Sequence, residues 1–129
     1  MNKPDIQTSE DVVKLVDSFY EKVRKHKELG YIFDEVVKFN WDQHLPKMYA
    51  FWESILFQKS DYKGNPMEAH RNVHEKYPLT KELFNAWLDL FRDTLDELFE
   101  GPRTEKAYQR ALSIATVTQI KLNSSHNIY

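Results

Sequence analysis

Hydrophobic positions recur at three- and four-residue spacing along most of this chain, in blocks separated by a few Gly and Pro residues. Thr8 or Ser9, followed by Glu10 and Asp11, reads as a helix cap with acids in the first turn. Val12, Val13, Leu15, Val16, Phe19, Tyr20 and Val23 then predict a helix to about Lys27. Leu29-Gly30 is a stop signal, and Tyr31, Ile32, Phe33, Val36 and Val37 form a short apolar piece of one or two turns. In the next block Pro46 would clash with the Asp42 carbonyl unless Asp42 lay outside the helix, so Asp42 is the expected N-cap. Trp41 and Pro46 would then form a hydrophobic staple, with Leu45, Met48, Phe51, Trp52, Ile55 and Leu56 as the buried stripe.

Residues 58–65, with Gly64 and Asn65, read as a loop, and Pro66 starts a short helix through His70 to about His74. Thr80 caps the clearest amphipathic segment, which carries Leu83, Phe84, Trp87, Leu88, Phe91, Leu95 and Leu98 and stops at Gly101-Pro102. A last helix runs from about Thr104 to Leu122, its Ala107, Ala111 and Ala115 small enough for close approach by another helix. The tail 123–129 is expected to fray. No repeat or linker interrupts the pattern. It predicts one all-α domain over residues 1–129, with an ordered core at about 9–122 and about five main helices.

Composition narrows the chemistry. With 18 Lys plus Arg against 20 Asp plus Glu, the net charge of -2 gives no field to recruit nucleic acid or an anionic membrane. The absence of Cys excludes disulfides, thiolate metal sites and thiol catalysis, so any metal must use His, carboxylate or Tyr. No stretch of signal-peptide character or membrane-spanning length occurs, which makes the cytoplasm the expected location.

Of the five histidines, His26 and His126 fall at polar ends and read as solvated. His44 lies on an apolar stripe with Met48 and Trp52 one and two turns on, which suits a half-buried imidazole as well as a functional one. His70 and His74 share a helix face at the spacing of a zinc-binding pair, but Arg71 stands where a HExxH site needs its glutamate. Tyr20, Trp52 and Trp87 are core aromatics on three helices, or polar handles converging on one cavity. Spacing alone leaves both readings open.

The runs LVDSFYEKVRKHKELGYIF (15–33), WDQHLPKMYAFWESILF (41–57), DYKGNPMEAH (61–70) and FNAWLDLFRDTLDELFEGP (84–102) resemble, in order and spacing, the signature segments of the group III truncated haemoglobins. Gly30, Gly64 and Gly101 stand alone, so the paired-glycine motifs of the other truncated groups are missing. The resemblance implies a truncated globin fold, a helical sandwich around haem b, with His70 as the proximal iron ligand and His74 as second choice. It further implies that Tyr20, His44 and Trp87 are distal ligand-stabilising residues, with Met48 and Trp52 bordering the distal cavity and Phe33 against the macrocycle. Lys47 is then a candidate partner for a haem propionate, or simply solvated. One departure stands at Leu83, where many relatives would carry His before the Phe. The expected function is binding of dioxygen, nitric oxide or peroxide for redox chemistry or detoxification, with a reductase as electron donor. The alternatives are a non-catalytic oxygen or nitric oxide buffer or sensor, and a helical interaction module without cofactor. Oligomeric state is not legible.

Overall fold

The structure, a computed structural model, describes residues 3–58 and 66–126. Among these the chain forms six helices and one π-helical turn: α1 (Ser9–Lys25), α2 (Lys27–Tyr31), the π turn (Ile32–Val36), α3 (Trp41–Phe57), α4 (Pro66–Lys76), α5 (Lys81–Leu98) and α6 (Pro102–His126). α1 packs on α3 and α5, and α6 closes against α5, α3 and α4. The core runs along the inner stripe of α1 (Val12, Leu15, Val16, Phe19, Val23) to Phe91 and Leu95 of α5 and Ala107 and Ala111 of α6. Those alanines are fully buried, so the small-residue face does admit a close neighbour.

α1 begins as its sequence dictates: Thr8 Oγ1 accepts from the Asp11 N–H (3.2 Å), and Asp11 Oδ2 accepts in return from the Thr8 N–H (3.1 Å). It ends two residues earlier than the apolar pattern predicts. His26 turns the backbone to extended geometry and its Nδ1 accepts from the Leu29 N–H at 3.2 Å, which opens α2.

Gly30 is therefore not the stop the sequence suggested. It lies buried inside α2, where a Cβ would collide with the Arg24 carbonyl oxygen, so the residue permits the close approach of α2 to the end of α1. Gly30→Ala is expected to cost about 1–3 kcal/mol, as overpacking of a tight contact does, read as a lowered midpoint in urea. An unchanged midpoint would show that the α1–α2 corner is slack.

The start of α3 also differs from expectation. Asn40, not Asp42, is the N-cap, its Oδ1 accepting from the Gln43 N–H at 3.4 Å. Pro46 consequently lies within the helix, where it removes one backbone hydrogen bond to the Asp42 carbonyl without ending α3. Trp41 becomes the first helical residue, so the proposed staple with Pro46 does not form. Its indole instead donates to Asp34 Oδ1 at 3.1 Å, a contact between segments that no local pattern reports. α3 closes with Gln58 in the left-handed conformation (φ 57°).

Thr80 caps α5 as expected, Oγ1 accepting from the Leu83 N–H at 3.2 Å. α4 and α6 each run further than their apolar pattern, to Lys76 and His126, while residues 59–65 of the expected loop and 127–129 of the expected frayed tail lie outside the described residues. The N-terminal segment, for which the pattern predicts nothing, is pinned in place. Ile6 is fully buried, and the Asp5 carboxylate accepts from the Arg103 N–H (2.9 Å), the Thr104 N–H (2.9 Å) and the Thr104 hydroxyl (2.8 Å) at the start of α6. Burial raises the Asp5 pKa, but these hydrogen bonds outweigh it and hold the carboxyl below the ordinary range.

Candidate functional site

Between the helices lies a largely apolar cavity of about 1120 Å³, counted with its open mouth. Its wall draws on every helix: Tyr20 from α1, Leu29 from α2, His44 and Trp52 from α3, His70 from α4, Trp87 from α5 and Ile114 from α6. Tyr20, His44, His70 and Trp87 thus face one space, although they lie up to 67 positions apart in the sequence (20 to 87). Phe33, Met48 and Trp52 line it too. Lys47 is exposed and not part of the lining, but its charge acts on His44.

Each polar group is set by its element. Tyr20 is held edge-on by Phe19 (ring centroids 5.0 Å) and Phe33 (6.1 Å). Burial alone pushes its hydroxyl pKa well above the usual value, so the phenol keeps its proton. Trp87 is stacked on Phe91 (5.9 Å, 3°) and edge-on to Phe19 (5.6 Å), and Trp52 stacks on the same Phe91 (5.0 Å, 20°), which makes a rigid aromatic floor. His44 stacks on Phe39 (4.4 Å, 17°) and meets Tyr20 edge-on at 5.5 Å. Burial first, and the Lys47 charge second, lower its pKa, so the imidazole is neutral at neutral pH. His44 Nε2 is buried with no hydrogen-bond partner. Such a group costs about 1–3 kcal/mol unless something in the cavity satisfies it.

His70 reaches the cavity from α4 with Phe84 beside it (6.4 Å between rings), among Val73, Leu79 and Leu83. His74, one turn on, does not line the cavity. Its Nδ1 accepts from the Leu79 N–H at 2.9 Å and so fastens the α4–α5 connection. The departure at Leu83 puts a buried aliphatic side chain in this wall.

Several lining residues were not singled out from the sequence as site residues. Phe39 is the most consequential: the π turn, closed by Val37 N–H to Ile32 O (3.0 Å), and a left-handed Lys38 (φ 51°) deliver it against His44. Its aromatic neighbours in the sequence, Phe33 and Trp41, were the available signal. Ala115 was read as part of a helix-packing face, and it does face inward, but with Ile114 it lines the cavity.

A family model of bacterial-like globins matches residues 5–121. A group 3 truncated haemoglobin of Campylobacter jejuni is 36% identical over 110 residues, covering 83% of this chain and 84% of that protein. The chain belongs to the group III truncated haemoglobins. The crystal structure of a group III truncated haemoglobin from Campylobacter jejuni superposes with a TM-score of 0.81 at 34% identity, covering 93% of this chain and 94% of the other. Globins carry haem and bind small diatomic ligands such as oxygen, so the family implies that cofactor here. The residues fit it: a cavity with an apolar lining, an imidazole entering from α4, and a buried imidazole nitrogen at His44 without a partner among the described residues. Among the described residues no helix of this truncated haemoglobin is long and apolar enough to cross a membrane.

Proposed function

We propose that this truncated haemoglobin holds haem b through His70 and binds dioxygen, nitric oxide or peroxide on the side of Tyr20, His44 and Trp87, for redox chemistry or detoxification rather than oxygen delivery. The observation that carries the reading is the convergence of one imidazole from α4 and three further polar side chains on a single apolar cavity. Bound haem supplies the ligand-binding and redox chemistry of iron.

The chain's own part is electrostatic and steric. Tyr20 keeps its proton and can donate it in a hydrogen bond, the Trp87 indole can only donate, and neutral His44 offers one donor nitrogen and one acceptor. These groups are fixed by aromatic packing and need little reorganisation to meet a polarised oxygen atom. Phe33, Met48 and Trp52 keep the space apolar, which strengthens each such hydrogen bond. Lys47, exposed one turn from His44, is the candidate partner for a propionate. A reductase would supply electrons, and the cytoplasm is the compartment this chemistry suits.

The visible spectrum of the purified protein tests the cofactor: a Soret band and one haem per chain by pyridine haemochrome are expected. A protein that neither carries haem nor takes it up when it is added would end this reading.

A further inference from the structure

Among the described residues no polar group meets the buried Nε2 of His44, and a nitrogen in that condition gains by turning toward water. What opposes the turn is ring packing: Phe39 stacked on one face at 4.4 Å, with Tyr20 (5.5 Å) and Trp41 (5.8 Å) edge-on. Of these three, Trp41 is the one tied down by charge. Its indole N–H donates to Asp34 Oδ1 at 3.1 Å, the Arg24 guanidinium lies 4.8 Å over its ring, and Arg24 Nε stands 3.6 Å from the same carboxylate oxygen. Asp34 belongs to the π turn and Arg24 to the end of α1, so the clamp fastens the first turn of α3 to two other segments.

Trp41 also stands at a boundary. With Tyr20, Arg24 and Asp34 it lines a solvent-open cleft between α1 and α3, and Tyr20 is common to that cleft and the inner cavity. Tyr20 thus faces solvent-open space on one side and the cavity on the other, with Trp41 beside it at 5.6 Å between rings.

We propose that the Asp34–Trp41–Arg24 clamp is a positioning device that keeps the His44 imidazole inside the cavity. It thereby sets how often the way in beside His44 is open to a small ligand, a consequence that rests on the proposed function, whereas the positioning itself does not. The parts are unequal. Arg24 and Asp34 are 50% and 37% exposed, and an ion pair so exposed contributes little. The indole–carboxylate hydrogen bond carries the device, with a charged acceptor and a partly buried donor.

The test compares Asp34→Ala, Asp34→Asn and Arg24→Gln in the purified protein as isolated. The first readout is the NMR signal of the His44 ring protons, which Phe39, Tyr20 and Trp41 should shift through their ring currents. Asp34→Ala is expected to move it toward the free-histidine position. Asp34→Asn, whose amide oxygen can still accept from the indole, should largely restore it, and Arg24→Gln should barely change it. The second readout is carbon monoxide association after flash photolysis, expected to be about tenfold faster in Asp34→Ala. That gain should be absent when Asp34→Ala is combined with His44→Leu.

An unmoved His44 signal in Asp34→Ala, or an association gain that survives in the His44→Leu background, overturns the proposal. A shifted His44 signal in a protein without a Soret band would leave the clamp standing and remove the haem reading. Should Asp34→Ala not fold, Asp34→Leu, which keeps the bulk of the side chain and removes the acceptor while leaving the Trp41 ring intact, takes its place, and the same two readouts decide.

Discussion

In His70→Ala the haem is expected to be lost on gel filtration, and imidazole added to the medium is expected to restore a Soret band to that variant and not to change the native one. The cavity receives only one imidazole from α4. His74, the other histidine on that helix, is excluded from the lining and has Nδ1 committed to the Leu79 N–H at 2.9 Å. His74→Ala should therefore keep the native spectrum while losing about 0.5–1.5 kcal/mol of stability, the contribution of one hydrogen bond. If the two variants exchanged phenotypes, the axial assignment would pass to His74 and α4 would have to slide by about one turn along its axis, since the two histidines share a face.

The second large effect concerns oxygen release. Tyr20→Phe removes one donor from the cavity and preserves the ring that packs it, while Trp87→Phe removes the other donor and keeps an aromatic, though smaller, ring in the stack. Edge-on contact with Phe19 holds both residues, and Trp87 also stacks on Phe91. A hydrogen bond to a partly charged oxygen contributes about 1.5–3 kcal/mol, so each variant should release oxygen one to two powers of ten faster in stopped-flow mixing with a scavenger, and the double variant faster again. Slow release in the native protein fits redox use of the ligand better than delivery. Rapid native release, unchanged in both variants, would sink that account.

Much of this fold is legible in the chain, and the reason differs by element. α1 and α5 combine a strong apolar stripe with a threonine cap, so local pattern and tertiary packing agree. At α3 they conflict. The argument from Pro46 places the cap at Asp42, but a helix bears the loss of one hydrogen bond, and Trp41 is drawn into the first turn by Asp34 from outside it. The π turn left no trace in composition because its 3.0 Å bond from Val37 to Ile32 is a backbone choice, made where Phe33 and Phe39 must both be delivered to the same wall.

The site was legible as a set of residues and not as an arrangement. Tyr20, His44, His70 and Trp87 each sit where helical spacing puts them on an inner face, yet spacing is silent on whether four faces meet. The family resemblance supplied that step. It had nothing to say of Phe39 or of the clamp at Trp41, which depend on the path of the chain between residues 32 and 41.

The carboxylate of Asp5 has a bearing on how the cavity is closed. α6 takes its N-terminal cap from a residue almost 100 positions upstream, while Gly101, ahead of Pro102, sits at φ +145°. The wall that Ile114 and Ala115 contribute to the cavity is thus tied to a contact between segments almost 100 positions apart, and ordering it carries the loop-closure entropy of that separation. The pocket is a long-range property of the fold, since no local pattern near α6 supplies the carboxylate that caps it.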